Sequence, residues 1–203
     1  MVKLHTPISM ETIKKLRVGD VVSFSGIMIT ARDAAHKFLV EKYIDVKASE
    51  EIELYEDLKR ILREGVIYHC GPIVSKTNGS WHFVAAGPTT SIREEPFQGK
   101  VIQHFQLRAV IGKGGMGPAT LKACQDFGCV YLHAVGGAAA VIGSTITQVH
   151  TVFKLEEFGS PEAMWVIESR DFPAVVTMDS YGKSLHKEIE ELSETNLKKL
   201  LGL

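Results

Sequence analysis

Between residues 107 and 142 the chain alternates too regularly to leave many folds open. Residues 107–111 form an apolar run of strand length, 119–127 carry apolar residues at helical spacing, 129–133 are strand-like again, and 137–142 make a second short helix. A β-α-β-α order requires parallel strands joined by crossover helices that pack back on the sheet. The fold class expected is therefore α/β. Upstream, Ser9 caps a short helix with Met10, Ile13 and Leu16 on one face, closed by Val18-Gly19-Asp20. A strand over 21–29 delivers Thr30-Ala31-Arg32 to its end, and helices follow over 33–40 and through Ile52, Leu54, Leu58, Ile61 and Leu62 to Gly65. Residues 66–70 and 81–86 read as strands with an Asn78-Gly79 turn between them, and each runs into a Gly-Pro step. Further strands are expected over 148–153, 164–167 and 174–178. The C-terminal helix through Leu185, Ile189, Leu192, Leu197 and Leu200 has a charged rim, which predicts a packing helix.

With 203 residues, 45% of them hydrophobic, the chain can bury one sizeable core, and with no repeat or linker in view, residues 1–203 are expected to form a single domain. A formal charge of -1 and the absence of a basic tract interleaved with aromatics exclude a nucleic-acid partner as the expectation. No stretch approaches the roughly 20 apolar residues of a membrane span, and Met1-Val2-Lys3-Leu4-His5 is no signal-peptide start, so a cytoplasmic protein is expected. The three cysteines, Cys70, Cys124 and Cys129, lack metal-ligand spacing and read as small buried apolar residues, and no metal site is expected.

Three segments concentrate chemistry. Gly112-Lys113-Gly114-Gly115-Met116-Gly117 matches G-x-G-x-x-G formally, but no acid stands near the end of the next strand to bind a ribose. Its glycines would leave N–H groups bare at a helix N-terminus for an anion, with Lys113 adding a point charge; the bland alternative is a tight turn with a solvated lysine. Gly87-Pro88-Thr89-Thr90-Ser91-Ile92-Arg93 places three hydroxyls after a strand, with Arg93 one turn after Thr89 so that hydroxyl and guanidinium could reach one ligand; the bland alternative, sufficient for at least one hydroxyl, is a cap on the next helix. Thr30-Ala31-Arg32-Asp33-Ala34-Ala35-His36 is a third strand-to-helix junction. The bland alternatives there are an Arg32 paired with Asp33 or a surface acid and a His36 that is a satisfied structural histidine. Together the three place Arg32, Arg93 and Lys113 at strand ends, where α/β sheets bind ligands, and two guanidinium forks with an ammonium suit a small dianion.

These segments, with Cys70-Gly71-Pro72 and Val135-Gly136-Gly137-Ala138-Ala139, resemble in order and approximate spacing the β region of class I fumarases and L-tartrate dehydratases over nearly the whole chain. The resemblance implies a swivelling three-layer β/β/α domain. It implies that Arg32, Arg93 and Lys113 bind the carboxylates of a C4 dicarboxylate and that Thr89 is the catalytic base, with His36, Thr90 and Gly114 behind them. Ser91-Ile92 departs from the family's usual small residue and glycine before the arginine. The resemblance also implies a [4Fe-4S] cluster held by a partner α subunit and not by this chain, hence a hetero-oligomer. The activity implied is fumarate hydratase, with L(+)-tartrate dehydratase as the alternative within the same chemistry. A non-catalytic small-anion-binding or regulatory module is the alternative of another class.

Overall fold

The computed structural model describes residues 1–46 and 51–202. In chain order the elements are β1 (Val2–His5), α1 (Met10–Lys15), β2 (Val21–Thr30), α2 (Asp33–Leu39) continuing into a π-helical turn (Val40–Ile44), α3 (Ile52–Leu62), β3 (Val66–Tyr68), β4 (Ile73–Thr77), β5 (Ser80–Ala85), a 3₁₀ turn (Ser91–Glu94), α4 (Glu95–Phe105), β6 (Ala109–Gly112), α5 (Pro118–Phe127), β7 (Val130–His133), α6 (Ala139–Gly143), β8 (Ile146–Phe153), α7 (Leu155–Phe158), β9 (Met164–Met178) and α8 (Leu185–Leu201). The Ser9 cap is as expected, its hydroxyl accepting from the Thr12 amide.

The chain is mixed α/β, and its main sheet closes on itself. β2, β3, β6 and β7 lie side by side in parallel, β9 pairs antiparallel with β7, and β9 also pairs antiparallel with β2, which completes a five-stranded barrel. β1 and β8 extend the barrel from β2 and β9. Alternation along the strands divides the core in two, as a period of two demands. Val66, Tyr68, Ala109, Ile111, Val130, Leu132, Trp165 and Ile167 belong to one cluster. Ile67, Val110, Tyr131, Met164 and Val166 belong to the other, with Leu39, Leu58, Leu62, Val101, Phe105 and Cys124 from α2 to α5. β3, β6 and β7 are buried on both faces and so read as unbroken apolar runs in the sequence.

Three expectations are corrected. The strands anticipated over 164–167 and 174–178 are one strand, β9, of 15 residues. Its polar middle looks like a loop in sequence, but Asp171 sits at φ 55 opposite a register shift at Phe24/Gly26. There the Asp171 amide bonds Ser25 Oγ at 3.0 Å and Ser23 Oγ donates to the Asp171 carboxylate at 3.0 Å, so side chains replace the missing ladder bonds. Second, the Asn78-Gly79 turn joins β5 to β4, a strand not anticipated; Asn78 and Gly79 both have positive φ, the requirement of a two-residue hairpin turn. Third, α8 is not a packing helix within this chain. It buries no residue, and Leu192, Leu197 and Leu200 are 60%, 55% and 84% exposed. Amphipathic periodicity specifies an apolar face but not what covers it.

Candidate active site

The ends of the parallel strands gather the chemistry-bearing segments. Arg32 lies in the turn from β2 to α2, and Lys113 directly follows β6. The stretch after β5 runs alongside: the Thr89 amide donates to the His69 carbonyl at 2.8 Å, the Lys113 amide to the Thr89 carbonyl at 3.3 Å, and the Ser91 amide to the Lys113 carbonyl at 3.0 Å. Thr90 and Lys113 thereby form a parallel bridge. The turn at Val135–Ala138 closes against the Lys113 side chain, since a Cβ on Gly136 would lie 3.5 Å from Lys113 Cδ. Gly71 makes room for Arg32, because a Cβ there would strike its guanidinium. Thr89 is half-buried and its hydroxyl has no hydrogen-bond partner among the described residues, and Lys113 has no acid within ion-pair distance among them. Thr90 and Gly114 are exposed, Gly114 at φ 80.

Both guanidiniums already face acids of this chain. Arg93 pairs with Asp33, and Arg32 Nε lies 3.3 Å from Glu162, whose other oxygen accepts the Ala34 amide at 3.1 Å. Asp33 follows Arg32 directly, so the two pairs interlock. Arg93, Asp33, Ala34, Lys37 and Phe97 line an open hollow on this face.

Beneath these segments runs a buried polar chain. Tyr131 donates to Ser91 Oγ at 2.8 Å, and Ser91 Oγ lies 2.9 Å from His69 Nδ1. His69 Nε2 and His36 Nε2 both meet Gln98 Oε1, at 2.8 and 2.9 Å. One acceptor oxygen on two ring nitrogens requires an N–H on each, so His69 Nδ1 is left as the acceptor that the Ser91 hydroxyl needs. His36 Nδ1 reaches the Arg32 carbonyl at 3.0 Å and Glu94 Oε2 at 3.4 Å. Burial holds both rings below the ordinary histidine range, His69 at about 3, where the neighbouring His36 lowers it further and the Gln98 bond opposes. A Cβ on Gly112 would coincide with Ser91 Oγ, so only glycine leaves space for this chain beside β6.

Two of the readings weighed for these motifs do not hold. The helix N-terminus after the glycine-rich loop is not bare: Glu95 fills it, accepting from the Gly117, Ala119 and Thr120 amides at 2.8, 2.9 and 3.2 Å. An acid from the neighbouring helix therefore occupies the place an anion would take. None of Thr89, Thr90 and Ser91 caps the following helix through its side chain, because a 3₁₀ turn intervenes and Ser91 is drawn into the buried chain. His36 does lie behind Arg32, its Nδ1 3.0 Å from the Arg32 carbonyl. His69, Glu94, Glu95, Gln98 and Glu162 were not expected in sequence, and Ser91 was anticipated only as one of the three hydroxyls after the strand. Gln98 carried a signal, since it shares the apolar stripe of Val101, Ile102 and Phe105, where a polar residue needs buried partners. Glu162 carried none.

The cysteines do not fit an iron–sulfur cluster. Cys70 belongs to one core cluster and Cys124 and Cys129 to the other, across the sheet. Burial pushes the Cys70 thiol up to about 12, away from the thiolate a cluster needs. Among the described residues no group of three or more His, Cys, Asp or Glu converges as a metal site.

A closed barrel of mixed strands whose ends collect two guanidiniums, an ammonium and a hydroxyl defines a mixed α/β barrel domain. Residues 1–189 match the family model described as Fumarase C-terminus, and the chain belongs to that family. It is 50% identical over 194 residues to a putative class I fumarate hydratase of Geobacillus stearothermophilus, covering 95% of this chain but 35% of that protein. It is 41% identical over 192 residues to a putative L(+)-tartrate dehydratase subunit beta of Methanocaldococcus jannaschii, covering 94% of each. With the L(+)-tartrate dehydratase subunit beta of Escherichia coli K12 it shares 35% identity over 190 residues, covering 93% of this chain and 88% of that one. No helix among the described residues is long and apolar enough to cross a membrane.

Proposed function

We propose that this chain is the β part of a hydro-lyase that interconverts malate and fumarate. Arg32, Arg93 and Lys113 take the two carboxylates, and Thr89 moves the proton on the carbon beside the hydroxyl-bearing one. The observation that carries the reading is the Thr89 hydroxyl without a partner, backbone-bonded to Lys113 in the same strand-end crevice. A mere anion scaffold has no use for it. Guanidinium forks match carboxylates in shape, and the same cations stabilise the charge that develops on a carboxylate as the neighbouring proton leaves. A threonine hydroxyl at its ordinary acidity is a poor base, and none of the described residues sets a base in hydrogen-bond contact with it, so the activating group comes from a partner.

That partner, an α subunit or the remainder of a longer chain, is also where a [4Fe-4S] cluster is held. Ile92, Val135 and Val141, 50%, 60% and 66% exposed around the crevice, are surface it would cover. In this reading residues 1–203 act as one swivelling three-layer domain that closes over the partner in the cytoplasm. The 50% identity to a protein named as a fumarate hydratase favours malate and fumarate. The relatives matched over nearly their whole length are named for tartrate, which keeps L(+)-tartrate as the second substrate. Anaerobic co-expression with the cluster-bearing partner, followed by assays with malate, fumarate and both tartrate enantiomers, tests the reading. Turnover of tartrate alone would replace the substrate, and no turnover of any would remove the activity.

A further inference from the structure

One buried acid has no place in the mechanism above. Glu94 ends the 3₁₀ turn that carries Arg93, its side chain is 0% exposed, and neither carboxyl oxygen has a hydrogen-bond partner among the described residues. A buried carboxylate in that condition is costly, whereas a carboxylic acid is not. The groups that face it come from every side. His36 of α2 stands 3.4 Å away, Arg93 precedes it in its own turn, Arg32 and Asp33 lie in the β2–α2 turn, Glu162 comes from the turn before β9, and Gln98 from α4 lies on the far side of His36.

Counting hydrogens decides what the pair needs. His36 spends its Nε2–H on Gln98, so its Nδ1 faces only acceptors, the Arg32 carbonyl and the Glu94 carboxyl. A single proton, on Glu94 or on His36 Nδ1, turns this cluster of lone pairs into a bonded one. Counting charge gives the consequence. Asp33 and Glu162 already balance Arg93 and Arg32. If the Glu94–His36 pair lacks its proton, a third negative charge sits under the two guanidiniums and opposes an incoming dianion.

We propose that the buried Glu94–His36 pair holds one proton that sets the affinity of the Arg32–Arg93 site, so that a dicarboxylate binding where the pair is empty draws a proton in with it. The inference rests on the dianion reading of Arg32 and Arg93. Burial raises the Glu94 carboxyl to about 7 even against the opposing pull of Arg93, which puts the exchange in the neutral range. Lys113, without an acid partner among the described residues, lets the site keep a net positive charge when the pair is protonated.

The test is calorimetric titration of succinate, a dicarboxylate with no hydroxyl to lose, into the complex of this chain with its partner. Buffers of different ionisation enthalpy give the protons taken up. At pH 8 the expected uptake approaches one proton per site, and Kd should rise about tenfold from pH 7.5 to 8.5. Glu94→Gln should bind with no proton uptake and with less than a twofold change in Kd over that range. Wild-type binding at pH 8 with no proton exchange would overturn the proposal without any variant, as would undiminished uptake in Glu94→Gln. The dianion reading is tested apart: if Arg93→Ala binds succinate as tightly as wild type, that reading fails and the proposal falls with it.

Discussion

Replacing Gln98 by leucine, close in volume but apolar, removes the one acceptor shared by two enclosed imidazoles. His36 and His69 are both 0% exposed, and each spends its Nε2–H on Gln98 Oε1, at 2.9 and 2.8 Å. No water or other acceptor can reach those N–H groups without opening the interface of α2, α4 and β3. Each orphaned donor costs about 1–3 kcal/mol, so the variant should lose about 2–6 kcal/mol, a large share of a domain's stability. The site should suffer as well, because His36 packs behind Arg32, its Nδ1 3.0 Å from the Arg32 carbonyl, and the His69 carbonyl accepts the Thr89 amide. Urea unfolding at pH 7 measures the loss, and Gln98→Glu supplies the control, since a carboxylate oxygen can accept both N–H bonds, at the cost of a buried charge. The expected order of stability is wild type, then Gln98→Glu, then Gln98→Leu. A loss below about 1 kcal/mol in Gln98→Leu would refute the bridging role, because an unsatisfied pair of buried donors cannot be that cheap.

Four further outcomes are expected. Thr89→Ala should abolish turnover of the assembled enzyme while leaving succinate affinity within about threefold, since the hydroxyl makes no ground-state charge contact; unchanged turnover would remove it as the base. Arg93→Ala should weaken dicarboxylate binding by about 10–100-fold, the worth of a charge-assisted hydrogen bond, as read in KM and in succinate Kd. Gly112→Ala drives a methyl into Ser91 Oγ, and should cost at least about 2 kcal/mol in urea unfolding. The fourth concerns pH: Glu94 is raised from 4.5 to about 7 in the folded state, so the folded protein binds the extra proton between these values and gains stability on acidification. Glu94→Gln lacks that gain, and from pH 7 to pH 4 it should lose about 3 kcal/mol more than wild type; parallel pH profiles would contradict the buried-acid assignment.

What the sequence disclosed follows from how local each signal is. β3, β6 and β7, apolar on both faces, and the Ser9 and Asn78-Gly79 signals were legible because a few neighbouring residues determine them. Closure of the barrel was not, since it depends on β9 reaching both β2 and β7, and the bulge at Asp171 that lets it do so looks like a loop. In the site, the positions of Arg32, Arg93, Thr89 and Lys113 at strand ends were legible from turn and strand patterns. The acids that face the guanidiniums were not: Glu162 is 130 residues from Arg32, with no pattern linking them. The glycine-rich loop misled for a related reason, because its anion position is filled by Glu95 from another helix. A loop motif records that a helix N-terminus is available, and not what tertiary structure has already placed there.

The central claim is that this chain contributes the dicarboxylate cations and the proton-moving threonine to a site completed by another polypeptide. Its most direct measurement is fumarate hydration by the anaerobically reconstituted pair, with wild-type chain and with Thr89→Ala in parallel. The expected result is a stable complex that forms malate with wild-type chain, and a complex equally stable but inactive with Thr89→Ala. A wild-type complex that assembles and turns over neither fumarate, malate nor tartrate would contradict the claim, as would an active complex that does not need Thr89.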